Sequence, residues 1–170
     1  MTTTEASASP RRKRSLFKGF LAGAIGGLVG AAAKAAGEAV YPPRTLGQIP
    51  APAVLVNRMS DRPLSEKEEE VSVRAIHWGF GALVGGVYGA LAEYQPAVTG
   101  RLGANFGLTL CGITHASALP MMGLTESPEN QPAREHASEL VTHAIYGVTT
   151  EVVRRLARKA LYGLRNRTKN

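Results

Sequence analysis

Apolar and polar residues along this chain fall into long blocks rather than a short alternation. Leu102–Leu124 runs for twenty-three residues without a charged side chain. As a helix rising about 1.5 Å per residue, it matches the roughly 30 Å hydrocarbon thickness of a bilayer. Asn105, Thr109, Gly112, His115 and Ala116 share one arc of that helix at about 100° per residue. A stripe of this kind predicts protein rather than lipid on one side.

Three more blocks follow the same logic. Phe17–Tyr41 carries Gly19, Gly23 and Gly27 at i+4 spacing, with Gly30, Lys34 and Glu38 on the same face. Such a ridge lets a partner backbone approach closely, and Lys34 and Glu38, one turn apart, can neutralise each other. Ala31–Ala33 resembles a cleavage site for a signal peptide. The small-residue pattern nevertheless continues to Tyr41, so an uncleaved first span is expected. Ala75–Ala92 is eighteen residues without a charge; His77, Gly81, Val84, Gly85 and Tyr88 share its face, and Gly81, Gly85 and Gly89 repeat the close-packing motif. The last block, Glu135–Arg158, is uncharged only over Leu140–Thr150, with Glu139, His143, Tyr146 and Thr150 along one narrow face.

Between these blocks lie breakers. Pro42–Pro63 holds five prolines and predicts a linker with no long helix. Ser65 and Glu68 then form an S-x-x-E capping box, with Glu66, Glu69 and Glu70 where the helix dipole favours acid. Tyr94–Arg101 reads as a short turn, and Pro128 and Pro132 interrupt Thr125–Arg134. Gly23-Ala24 and Gly27-Leu28 recur as Gly103-Ala104 and Gly107-Leu108, and His77-x3-Gly81 recurs as His143-x3-Gly147. The echo is compatible with a duplicated helical hairpin.

Composition changes the picture only when position is added. A hydrophobic fraction of 44% in 170 residues fits a soluble domain, yet nineteen glycines suit membrane helices better than a soluble bundle. The net charge of +7 comes with only ten aromatics, and its basic residues flank apolar spans, so nucleic acid is not an expected partner. The single Cys111 excludes an internal disulfide. Lys and Arg number five before residue 19 and seven after residue 153, with Arg101 in the short turn. Four spans put all of these on one side, and the positive-inside rule makes that side the cytoplasm. The expected architecture is an all-α, four-helix transmembrane bundle over residues 16–163, with spans near 17–41, 75–93, 102–124 and 136–158. Basic cytoplasmic tails, 1–15 and 164–170, flank it. The expected location is the inner membrane, with the basic ends against anionic headgroups. The glycine ridges, with Gly103 and Gly107 on the third span, also allow self-association.

This topology converts position into depth. Lys34, Glu38, His77, His115, Glu139 and His143 all fall in the outer half, within roughly 10–15 Å of one another along the membrane normal. Three imidazoles, two carboxylates and a lysine can relay or sense protons. The alternatives are a haem or metal at His77, His115 and His143, or helix–helix hydrogen bonding alone. No close H-x3-H pair favours a metal, and no cofactor is expected. No nucleophile–base–orienter set, phosphate loop or HExxH spacing is present, so no enzyme is expected. Glu93 and Glu151, beside Arg101, Arg154 and Arg155, read as solvated interface ion pairs, and Glu151→Gln is expected to matter little.

Several blocks together resemble one known family. KAAGEAVYPPR over Lys34–Arg44 resembles its lysine, Gly-Glu and Pro-Pro-Arg signature. His77 with Phe80, and Tyr88 through Glu93 and Pro96, are similar to its second span. His115 followed by Pro120–Thr125 resembles the end of its third, and Glu139, His143, Glu151, Arg154 and Arg155 resemble its fourth. The family is that of the YagU-like inner-membrane proteins of bacteria, and the resemblance covers residues 17–162. It departs in a shorter linker after Pro-Pro-Arg and in fewer aromatics within the spans. The resemblance implies a four-helix membrane protein of unsettled activity, linked to acid resistance.

Overall fold

A computed structural model describes the backbone of residues 14–45 and 47–167 and side chains through residue 162. Arg11, Arg12 and Lys13 of the basic N-terminal tail, and residues 168–170 at the other end, lie outside the described residues. Helix makes up 81% of the structure, and no strand occurs among the described residues.

Helix α1, Leu16–Val40, is capped by Ser15, whose hydroxyl accepts from the Lys18 amide. The proline-rich linker holds a short helix that the breakers did not predict, α2, Ala51–Met59. Pro50 and Pro52 sit at its start, where a missing N–H costs nothing, and no further proline occurs until Pro63. Helix α3, Glu66–Ala92, opens on the expected capping box: the Ser65 hydroxyl accepts from the Glu68 amide, and Glu68 accepts from the Ser65 amide. Arg62, then Ser65, hold the Glu68 carboxyl down to about 2.

Pro96–Gly103 is a 3-10 stretch in which Arg101 and Leu102 take left-handed backbone angles, φ 50° and 55°. The third apolar block consequently becomes α-helical at Ala104 rather than Leu102. Helix α4, Ala104–Ile113, passes through a π-turn at Thr114–Ala118 into a last turn, Leu119–Met121. Pro120 explains the widening: it cannot donate to Ala116, and its ring crowds that carbonyl. Arg58 of α2 donates to the terminal carbonyls of Met122 and Gly123 at 2.7 and 3.1 Å. Helix α5, Ala133–Arg167, extends beyond the expected span and takes in part of the C-terminal tail.

Glycines set the packing. A Cβ on Gly23 or Gly27 would overlap the carbonyl of Gly85 or Gly81, and one on Gly89 that of Gly19, so α1 and α3 run antiparallel in backbone contact. Gly26 and Gly30 meet Thr150 and Tyr146 of α5. Gly103 and Gly107 meet the carbonyls of Gly147 and His143. The two hairpins thus use the same contact, Gly27 on Gly81 and Gly107 on His143. In this register His143 takes the place of Gly81, one turn away from the His77–His143 echo in the sequence.

Besides Val56, Tyr88, Leu124 and Tyr146 the buried side chains are small or polar, and many large apolar ones face outward. Every buried polar or charged side chain among the described residues lies on α5, from Glu135 to Arg158, about 35 Å of helix. Phe17, Ile25, Trp78, Leu83, Ile113, Val141, Val152 and Leu156 are instead exposed. Among the described residues, two helices, α1 and α3, are long and apolar enough to cross a membrane. The arc of α4 expected to face protein points the other way. Asn105, Thr109, Gly112 and Ala116 are exposed, and the buried positions are Gly103, Gly107 and Cys111. Close backbone packing selects glycine, not polarity, for that face.

Candidate functional site

Glu139 and His143 occupy successive inward turns of α5. The Nδ1 of His143 lies 2.8 Å from the Glu139 backbone oxygen. A carbonyl only accepts, so Nδ1 carries a proton. The π-turn of α4 carries His115 to the same place: its Nδ1 is 3.2 Å from Glu139 Oε1, and its ring is 4.9 Å from that of His143. Lys34 and Glu38, on the last turns of α1, form the expected ion pair. Lys34 Nζ also stands 3.8 Å from Glu139 Oε2, and Arg44 Nη1 stands 3.8 Å from Oε1. Glu139 is only 6% exposed, and its Oε2 has no hydrogen-bond partner.

Five of the six expected residues therefore meet around one carboxylate, and Arg44 joins them from the Pro42-Pro43 turn. Among the described residues, no ion pair or hydrogen bond joins His77 to this group. Its ring stands edge-on to Trp78 at 5.8 Å, and its Nε2 is buried without a hydrogen-bond partner. Arg44 had only its place in the Pro-Pro-Arg block as a signal.

His115, Glu139 and His143 offer ligand atoms within 4.8 Å of one another, a two-histidine, one-carboxylate arrangement. Lys34 and Arg44 weigh against a divalent ion there, because both cations already lie on the one carboxylate it would use. A cavity of about 390 Å³ adjoins the cluster, lined by Arg44, His115, Thr125, Glu135 and Glu139 and by apolar Ile49, Val54 and Leu124.

Its rim is fastened by Thr45, which donates from its amide and hydroxyl to Glu135 Oε1 at 2.7 and 2.6 Å. Ser138 Oγ donates to the Tyr41 carbonyl at 2.5 Å. Burial opposes ionisation of Glu135, but the two Thr45 bonds, with Arg44 and Arg134 nearby, outweigh it and hold the carboxyl below its usual range. A carboxyl lowered by folding contributes stability that is full above its unfolded value, about 4.3, and is lost as pH falls through the folded value. The Arg44–Thr45 segment is therefore expected to loosen below about pH 4. Hydrogen exchange of the Thr45 amide as a function of pH checks this. In Glu135→Gln the amide should already exchange faster at neutral pH, and the acid step should vanish.

At the opposite end the sequence reading needs correction. Glu151 is fully buried rather than solvated. It accepts from Tyr88 Oη at 2.7 Å, from Arg154 Nε and Nη2 at 2.7 and 2.9 Å, and from Arg155 Nε at 2.5 Å. Glu93 pairs with Arg158 and accepts from the Ser15 amide at 3.2 Å. The i,i+3 and i,i+4 spacing of Glu151 with Arg154 and Arg155 announced the pairs. Their burial depends on glycine contacts on the neighbouring helices.

No curated protein and no solved structure matches the chain. A model of the family described as "Protein of unknown function (DUF1440)" matches residues 28–152. That range holds Lys34, Glu38, Arg44, His115, Glu139 and His143. On that match the chain belongs to the DUF1440 family, which is the YagU-like family.

Proposed function

We propose that this is a four-span, non-enzymatic protein of the bacterial inner membrane, with both termini in the cytoplasm, that contributes to acid resistance through a proton-linked site at Glu139. Inverted polarity supports the membrane reading. Large apolar side chains face outward on all four long helices, while glycine and the polar face of α5 fill the interior. In water such a surface would be a far larger apolar patch than a soluble monomer exposes. This also accounts for the low hydropathy of α5, whose charges turn inward in pairs.

The observation that carries the proton-linked reading is the buried Glu139 carboxylate, shared by His115 and His143 beside a cavity at the end of the bundle that the charge bias places outside. Glu38 and Lys34 from α1, Arg44 from the linker and Glu135 from α5 complete the charged set around it. A proton taken up from the outer side changes the charge of a closed group of ions, and the helices holding them are those joined by glycine contacts. His143→Ala and Glu139→Gln are expected to abolish acid survival of the host while membrane abundance stays at the wild-type level. Glu68→Gln, exposed and distant, should behave as wild type. Loss of abundance in the first two would make the cluster a packing device. Metal analysis of protein purified from its host tests the competing metal reading, and one equivalent of bound transition metal would replace this proposal.

A further inference from the structure

Helix α4 turns one coherent face away from the bundle. Asn105, Thr109, Gly112 and Ala116 are exposed, and their spacing of four, three and four residues makes a straight seam of the kind found in left-handed helix pairs. Leu108 and Ile113, also exposed, flank it on either side. Gly103 and Gly107, by contrast, are spent against α5. Among the described residues, neither the Asn105 amide nor the Thr109 hydroxyl has a hydrogen-bond partner. A Cβ on Gly112 would meet nothing within 4 Å.

Depth makes the amide costly. Gly103 abuts Gly147 and Glu151 of α5, and Thr150, between those two, abuts Gly26 and Gly30 halfway along α1. Asn105, two residues beyond Gly103, therefore lies near mid-depth of the bundle rather than at its inner end. This inference rests on the reading that these helices span the bilayer. Hydrocarbon offers an amide no partner, and leaving it unpaired there is expensive. Arg101, also exposed, differs in having a stem long enough to carry its charge toward the inner headgroups.

We propose that this face joins a second copy of the chain in a parallel, two-fold dimer, α4 against α4. A carboxamide both donates and accepts, so Asn105 is satisfied by the same residue of the second copy. Copies with both termini on one side of the membrane share an orientation, and a two-fold axis along the normal brings identical residues to equal depth. Thr109 and Ala116 then meet their counterparts, Gly112 lets the backbones close, and Leu108 and Ile113 pack beside the seam. A lipid tail matches the apolar flanks but offers nothing to Asn105.

The test is disulfide cross-linking in native membranes, with full-length chains carrying Cys111→Ser and one added cysteine. Thr109→Cys and Ala116→Cys should each give an oxidant-dependent dimer of this chain, identified by its mass. These positions lie about two turns apart, so both can link only in a parallel pair. Leu83→Cys on α3 and Val152→Cys on α5, also exposed, should stay monomeric. Energy transfer between labelled chains diluted into lipid vesicles then gives the affinity. Asn105→Leu should weaken association about tenfold, as expected for losing an interhelical hydrogen bond. Gly112→Leu, for which the single chain has room, should abolish transfer. No cross-link at either seam position, an equal yield from Leu83→Cys, or a product with a different protein overturns the proposal. Alkaline carbonate extraction of the same membranes separates the two possible failures. Chains that stay in the membrane without linking leave the four-span bundle standing as a monomer, and chains that wash out overturn both readings.

Discussion

Gly107→Val is expected to separate α4 from α5 and to lose most of the folded protein from the membrane. A Cβ at this position would overlap the carbonyl of His143, and Gly147 presses on the same backbone from the next turn. Overpacking in an ordinary core costs about 1–3 kcal/mol because side chains can turn aside. Here the obstacle is backbone within a helix, so the upper end of that range, about 3 kcal/mol, is the least expected. Against a total stability of about 5–15 kcal/mol, that is a large loss. The same clash moves His143, so any protein that survives should fail the acid-survival test. Gly79 and Gly112 have nothing within 4 Å of a built Cβ. Gly79→Ala and Gly112→Ala should therefore be neutral or gain up to about 1 kcal/mol from helix propensity. Thermal unfolding of the three variants checks both halves of the expectation.

The second large effect is expected at Glu151, where the sequence reading expected almost none. Glu151→Ala leaves Arg154, only 8% exposed, without the carboxylate that it hydrogen-bonds twice. Breaking a buried pair in this way costs about 3–5 kcal/mol. Glu151→Gln keeps the shape but loses the charge, and it should fall in abundance as well. Tyr88→Phe removes one bond to a charged group and should cost about 1.5–3 kcal/mol. The double variant Glu151→Leu/Arg154→Met should recover part of the loss, because an apolar pair of similar size is often as stable as a buried ion pair. Unfolding of the single and double variants gives the coupling directly.

How far the chain could be read in advance depended on how local each signal was. The ridges of Gly19, Gly23, Gly27, Gly81, Gly85 and Gly89 were legible because their i+4 period is itself the packing rule. So was the Ser65–Glu68 box, which involves one turn of backbone. The meeting of Lys34, Glu38, His115, Glu139 and His143 followed from depth alone, since antiparallel helices bring equal depths together. Depth says nothing about rotation, and that is where His77 and the Asn105–Ala116 arc came out differently. The face of α4 was decided by where Gly103 and Gly107 touch Gly147 and His143. His115 lies within the π-turn at Thr114–Ala118, which a period of 3.6 does not describe. Arg44 reaches Glu139 through a turn whose path two prolines set, and Glu151 is buried against Tyr88 of α3 and Gly103 just before α4. Neither contact, Arg44 on Glu139 nor Tyr88 and Gly103 on Glu151, is visible in a period along one helix.

The central claim is that the Glu139 site lies in the outer half of a four-span bundle with both ends inside. Cysteine-accessibility labelling tests it most directly, in intact cells carrying Cys111→Ser and one added cysteine, Glu68→Cys, in the exposed first turn of α3. An impermeant maleimide should label that cysteine from outside without breaking the cells. Labelling only after the cytoplasmic side is opened would contradict the account.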